Sequence, residues 1–200
     1  MADTEAAFTG VDAPATMPRT QAQRSAATRE KVLDATVASL IERGYGATTT
    51  QEVNRRAGVS RGALLHQFPT REALVVAAIG HLVDRRKAEI IERAGGGAAD
   101  LTLLLEVFDG PLFYAALELW VAARTDPVLR EALIPVEERI AGELVTTGVA
   151  VFGGRYSTEQ IELAAELARG LAISRLLREP DADREFARRM ITTLMEALNR

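Results

Sequence analysis

From residue 29 onward apolar positions recur every three or four residues, interrupted by glycine, proline or a short polar side chain, and no segment alternates as a strand would. In TREKVLDATVASLIERG, Leu33, Val37, Leu40 and Ile41 share one helical face, and Gly44 supplies a left-handed stop, which predicts a first helix. In ATTTQEVNRRAG, Thr49 and Glu52 stand three apart as a capping box before a helix of about two turns. Gly58 then turns the chain, and Ser60 caps a third helix. Val59 and Leu64 occupy the two positions of a hydrophobic staple that sets its entry angle. This third helix, inside AGVSRGALLHQF at 57–68, is short and tightly aimed.

Thr70 and Glu72 open a long helix, TREALVVAAIGHLVDRRKAEIIERA, which the glycines at 95–97 stop as a hinge-like linker. At ~1.5 Å per residue it is on the order of 30 Å long, enough to link two domains. Asp100 can cap a fifth helix reaching Phe108, and the DGP at 109–111 makes a turn from which Pro111 begins a sixth. Asp126 and Pro127 repeat that signal for a seventh, to Phe152, which Pro135 must kink or split. Ser157 with Gln160 caps an eighth helix reaching residue 179, and Asp181 opens a ninth that reaches Asn199. The predicted fold class is all-α, with about nine helices.

Composition narrows the chemistry. In 200 residues, 48% hydrophobic content is ample for a core. The absence of cysteine excludes disulfides, thiolate metal sites and cysteine nucleophiles. Residues 1–23 lack a basic start and a continuous apolar run, so they read as a mobile tail rather than a secretion signal. No run reaches the roughly 18 apolar residues of a membrane span, and the best candidate, PLFYAALELWVAA, carries Glu118 in its middle. A cytoplasmic protein with no membrane partner is expected. The net charge of −4 conceals an asymmetry: residues 19–93 hold 13 Lys and Arg against 8 Asp and Glu, whereas residues 94–200 hold 11 against 17. A basic first half on an acidic chain points to a polyanion partner for that half.

Two short helices joined by a glycine turn and braced by a third form a helix-turn-helix. An α-helix fits the major groove of DNA, so the third helix has to project and present its first residues to base edges. A helix this brief is useful because its exposed start enters a groove.

At these residues a resemblance becomes specific. ATTTQEVNRRAGVSRGALLHQFPTREAL resembles the N-terminal domain of the TetR family of transcriptional regulators, and the close match spans residues 24–74. Caps, turn glycine, staple and helix lengths agree together. The resemblance implies a DNA-binding domain over 24–70 and a regulatory domain over 71–200. Thr50 and Gln51 would lie at the backbone and groove edge. Ser60, Arg61, Gly62 and Ala63 would begin the reading helix, with Arg61 the candidate for a bidentate contact to guanine. Leu65, His66 and Gln67 would flank the DNA backbone, Arg71 would neutralise a phosphate, and Arg24 and Arg29 would reach the adjacent backbone. The chain departs from the family pattern at Leu65, commonly tyrosine, at Gln67, commonly aromatic or histidine, and at Asn54, commonly small and apolar. One phosphate contact is thereby lost, leaving Gln67 or His66 as substitutes and Asn54 either to donate to DNA or to spread the two short helices. Arg24, Arg29, Arg55 and Arg56 read equally well as solvated surface arginines, His66 as a packed side chain, and His81 as a satisfied core histidine.

For the second domain the resemblance implies a small-molecule pocket within helices four to seven and pairing of two subunits through the last two helices. The sequence supports a homodimer independently. Ile161, Ala164, Ala165, Ala168 and Ala172 make a narrow stripe on helix eight, and Phe186, Met190, Leu194 and Leu198 a broad one on helix nine. The alternative is that both stripes are buried within one chain. Phe108, Phe113, Tyr114, Glu118 and Trp120 are the candidate lining of the pocket, with plain core packing as the alternative and Arg124 or Arg175 as other partners for Glu118. The implied mechanism is a repressor bound as a dimer to a pseudo-palindromic operator and released when an effector shifts helix four. An activator, a ligand-independent regulator and an adaptor that has lost DNA binding remain open. Two distant histidines, no cysteine, no phosphate-cradling loop and no paired ligand spacing argue against an enzyme, a metal site or a cofactor.

Overall fold

The computed structural model describes residues 20–94 and 101–198, which form helices throughout: α1 (Gln21–Ala47), α2 (Thr50–Ala57), α3 (Arg61–Gln67), α4 (Arg71–Ala94), α5 (Leu103–Val107), α6 (Pro111–Ala123), α7 (Pro127–Val151), α8 (Thr158–Arg175) and α9 (Pro180–Leu198). No strand occurs among the described residues. Most helix starts follow from local hydrogen-bonding chemistry. Thr49, Ser60, Asp126 and Ser157 each accept a hydrogen bond from the backbone N–H three residues on. At α8 the box is reciprocal, since Gln160 accepts from the backbone N–H of Ser157. At α2 it is only half made, because the Glu52 carboxylate is taken by arginines.

Several boundaries differ from expectation. Thr20 and Gln23 form a full capping box, so α1 begins inside the segment read as tail; residues 1–19 lie outside the described residues. So do the glycines at 95–97, the expected cap Asp100 and the expected helix end Asn199. The seventh helix continues through Pro135 without splitting. Pro135 and Glu131 are both exposed there, so water can meet the carbonyl that proline leaves without a donor. Helix α8 ends at Arg175, four residues earlier than expected.

Among the described residues three larger apolar cores follow one another along the molecule, and a smaller one of Leu171, Ala187 and Ile191 joins α8 to α9. Val32, Leu33, Val53, Leu64, Phe68, Leu74 and Ala78 close the first, so the start of α4 packs with α1–α3. Leu40, Val75, Val76, Ile79, Leu119, Leu129 and Leu133 form the second, where α1 and α4 meet α6 and α7. The third joins α5, α6 and the end of α7 to α8 through Leu104, Phe108, Phe113, Phe152 and Ile161.

That third core corrects the expected dimer stripe. Ile161, Ala164, Ala165, Ala168 and Ala172 are all buried inside one chain. Their small side chains let α8 approach its own domain closely, and at Gly148 of α7 an added Cβ would lie 2.9 Å from the Ile161 side chain. Phe186, Met190, Leu194 and Leu198 of α9 are half-buried against the same chain. The apolar residues left outward on and just beyond α8 are Leu163, Ile173, Leu176 and Leu177.

Candidate functional site

The helix-turn-helix is held from both ends. Gly58 closes α2 in the left-handed conformation, at φ 65° and ψ 32°, where a Cβ would add strain. Ser60 accepts from the Ala63 N–H at 3.2 Å and begins α3. Leu64 is fully buried and Val59 packs on the same core, so the staple is formed. The other side of α3 is open: Ser60, Arg61, Gly62 and His66 are exposed, and Ala63 is half-exposed. On α2, Gln51 is exposed and Thr50 half-buried.

Three residues expected at DNA make contacts within the fold. Leu65 is half-buried against the first core, as an apolar side chain on the inward edge of a short helix will be. Gln67 donates from Nε2 to the Ser25 carbonyl at 3.2 Å and ties α3 to α1. Arg71 donates to the carbonyls of Thr48 (2.7 Å) and Tyr45 and lies 3.9 Å from the centroid of the Tyr45 ring. Burial pushes the Tyr45 hydroxyl above its ordinary value, and the Arg71 guanidinium opposes that shift. Arg29 stacks 4.6 Å from the Phe68 ring centroid yet stays exposed. His66 is exposed rather than packed, and Asn54 is half-buried, its carbonyl accepting from the Gly58 N–H.

The basic excess of the first half is therefore partly consumed. Arg43, Arg55 and Arg56 converge on Glu52, and Arg56 also meets Glu42 at 2.7 Å. Arg55 and Arg56, followed by Arg43, hold the Glu52 carboxyl down at about 2, well below the usual carboxylate value. A carboxylate stabilised in its charged form contributes to folding above its ordinary value near 4.5 and loses that contribution as pH falls toward 2. Thermal melts by circular dichroism should accordingly show Tm falling across that window, with a shallower fall in Glu52→Gln. Within 20–67, Arg24, Arg29, Lys31 and Arg61 have no carboxylate partner among the described residues. Arg24 and Lys31 are exposed and lie seven apart, on one face of α1. Lys31 was not singled out by sequence, where it stands beside Glu30 with nothing to mark it.

Beyond the reading helix, residues 44–48 form a joint. At Gly44 the backbone takes φ 72° and ψ 175°, a region essentially reserved for glycine, which kinks α1 and frees the Tyr45 N–H. Glu118 of α6 accepts that N–H at 2.7 Å. The expected convergence of Glu118 on the pocket is thus corrected, since its carboxylate reaches across to α1; Arg175 instead meets Asp109 and Asp183. A Cβ at Gly44 would lie 2.5 Å from Glu118 Oε2. Gly44→Ala should cost about 1–3 kcal/mol from backbone strain alone. At roughly 2–4 °C per kcal/mol, calorimetry would read this as a lowered Tm.

The pocket lies between α4, α5, α6, α7 and α8 and encloses about 150 Å³. Phe108, Phe113 and Trp120 line it as expected, in edge-to-face contacts with centroids 5.6 Å and 6.0 Å apart. Tyr114 does not line it; its ring packs on Phe113 from outside, at 5.7 Å. Arg169 of α8 is in the wall and went unnoticed in sequence, because ELARGLA gives no sign of which way an arginine turns. His81 of α4 meets Asp34 of α1 at 3.2 Å, outside the pocket. No cluster of potential metal ligands occurs among the described residues, and none of their helices is long and apolar enough to cross a membrane.

Comparison with known proteins adds to this geometry. Residues 32–78 match the bacterial regulatory proteins of the tetR family. The HTH-type transcriptional regulator CymR of Pseudomonas putida is 34% identical over 202 residues, covering 91% of this chain and 95% of its own. An uncharacterized HTH-type transcriptional regulator of Mycobacterium tuberculosis is 29% identical over 194 residues, covering 90% and 99%. Among solved structures, multidrug binding protein EbrR complexed with imidazole superposes with a TM-score of 0.63 at 23% identity, over 83% of this chain and 93% of that one. A putative transcriptional regulator from Saccharomonospora viridis in complex with choline superposes with a TM-score of 0.62 at 16% identity, over 86% and 96%. These two structures share the fold.

Proposed function

The chain belongs to the tetR family of bacterial regulatory proteins and is a transcriptional regulator of that type, and from this premise we propose that it is a repressor released from DNA by a small molecule. It binds a pseudo-palindromic operator as a homodimer, with one α3 in each of two major-groove segments about 34 Å apart. The observation that carries this reading is the two-sidedness of α3: Leu64 is fully buried while Arg61 and Gly62 at its start are exposed and open. Arg61 reads base edges, with Ser60, Gly62 and Ala63 beside it. Gln51, Thr50 and His66 contact groove edge and backbone, and Arg24, Arg29 and Lys31 meet phosphates.

The regulatory domain contributes two further parts. The outward face of α8 pairs the subunits, because Leu163 and Ile173 stay exposed on it, Leu176 and Leu177 stay exposed just beyond it, and Gly170 has open space above it. The pocket holds the effector. Helix α6 carries Phe113 and Trp120 into that pocket and Glu118 onto the kink of α1, so an occupant that displaces α6 acts on the Glu118–Tyr45 bond. Arg71 ties the same loop to the start of α4. Coupling requires that the effector prefer the arrangement that does not fit the operator.

Selection of bound duplexes from a random pool tests the reading. A two-fold motif should be enriched, with affinity falling steeply as salt rises. A folded, dimeric sample that enriches no motif at low ionic strength refutes it.

A further inference from the structure

Helix α7 carries an outward stripe of palindromic spacing. Pro127, Arg130, Ile134, Glu138 and Ala141 are all exposed, at intervals of three, four, four and three residues. At about 3.6 residues per turn, all of them point within about 40° of Ile134. Ile134 at the middle is 45% exposed, a large apolar side chain left in water. The charges about it are opposite: Arg130 stands one turn before it and Glu138 one turn after. Neither of these side chains has a polar partner among the described residues, whereas Glu137, Arg139 and Glu143 of the same helix are engaged by Trp120, Asp84 and Lys87. The flanking charges, Glu131 on one side and Arg124 in the groove on the other, are again opposite in sign.

We propose that this stripe is a second self-association surface, and that its occupant is the same stripe of a chain from another dimer. The inference takes the α8 seam as the pairing within a dimer. Two copies of α7 laid antiparallel about a two-fold axis through Ile134 bring that side chain onto its mate, Arg130 opposite the partner's Glu138 and Pro127 opposite the partner's Ala141. The symmetry makes the charged pair twice. A slip of one turn in either direction sets Ile134 against Arg130 or Glu138, so the register is fixed by the same residues. Pro127 and Ala141 are short and let the two helices approach. One helix crossing one helix is smaller than a standard interface, so the contact is weak, with a Kd on the order of 10–100 µM. Dimers joined in this way carry two pairs of reading helices in one assembly.

Sedimentation equilibrium of the full chain without DNA, from about 1 µM to about 300 µM, tests this. The wild type is expected to be a dimer at the dilute end and to form larger species at the concentrated end. Arg130→Glu and Glu138→Arg each turn two attractive pairs into two repulsive ones and should weaken that step at least about tenfold. The double variant Arg130→Glu with Glu138→Arg exchanges the charges and restores the match, so it should recover most of the loss. All four positions of charge and symmetry are exposed, and circular dichroism confirms that each variant folds. Trp120 gives a second readout. It is the single tryptophan of the chain and lines the groove between α6 and α7 beside Arg130, Ile134 and Glu138, so acrylamide should quench it less as the larger species forms. A wild type that stays a dimer at every concentration, or a double variant no stronger than the single ones, overturns the proposal. A wild type that is monomeric at the dilute end and only dimeric at the concentrated end, with that dimer lost in each single variant and regained in the double one, upholds the α7 surface and refutes the α8 seam.

Discussion

Replacing Arg61 by alanine is expected to weaken binding to a selected operator by about 1–3 kcal/mol in each half-site, hence on the order of 2–6 kcal/mol for the dimer. The loss concentrates at the base that Arg61 contacts, so the variant also discriminates less at that position. Non-specific binding changes far less, because one phosphate-independent contact is removed. Folding is spared. Arg61 is exposed at the first position of α3, makes no ion pair with a described residue, and alanine is a good helix former there. Titration of operator and scrambled duplexes by anisotropy, with Tm measured alongside, checks both halves. Parent and variant binding the operator equally would remove Arg61 from the reading surface.

The second large effect is expected from Leu163→Glu combined with Leu177→Glu. These side chains are 54% and 95% exposed in the single chain, so the substitutions disturb no core. In a dimer they would place like charges opposite one another in the apolar seam of α8. The double variant should sediment as a monomer and keep its helical content. With each reading domain bound alone, operator affinity should fall by about 10²–10⁴, the usual gain from joining two sites in one molecule. A variant that remains dimeric by sedimentation would show that the seam lies elsewhere.

The contrast between α3 and α8 explains what could be read in advance. On α3 the turn glycine, the serine cap and the staple residues lie within a few positions of one another, and each bond forms as expected. On α8 the capping box was equally plain, but the helix carries apolar residues on two faces, Ile161 with the alanines and Leu163 with Ile173. A periodic pattern reveals that a face is apolar and is silent on whether it meets its own chain or another. Volume decided it: α8 is drawn against α5 and α7, where its alanines and the missing Cβ of Gly148 leave room for Ile161.

The expected placements divide in the same way. The exposure of Arg61 at the start of α3 was legible, as was the place of Phe108, Phe113 and Trp120 in the pocket wall. Arg71, Gln67, Glu118 and Arg169 were not, because an arginine, a glutamine or a glutamate looks the same in sequence whether it faces water, DNA, a cavity or a distant backbone amide. The Glu118 carboxylate and the Tyr45 amide that it accepts are 73 residues apart.

Sequence alone determined the helical class, most of the helix starts and the outward aim of α3. Caps, turns and staples act within about four residues, and each is complete in the local chemistry of the chain. Tertiary structure decided which face of α8 is spare, which cations are left for a polyanion, where Glu118 ends and that Arg169 turns to the pocket wall. Those outcomes depend on long side chains meeting across elements far apart in the chain, and only the packing of the cores determines which of them come within reach.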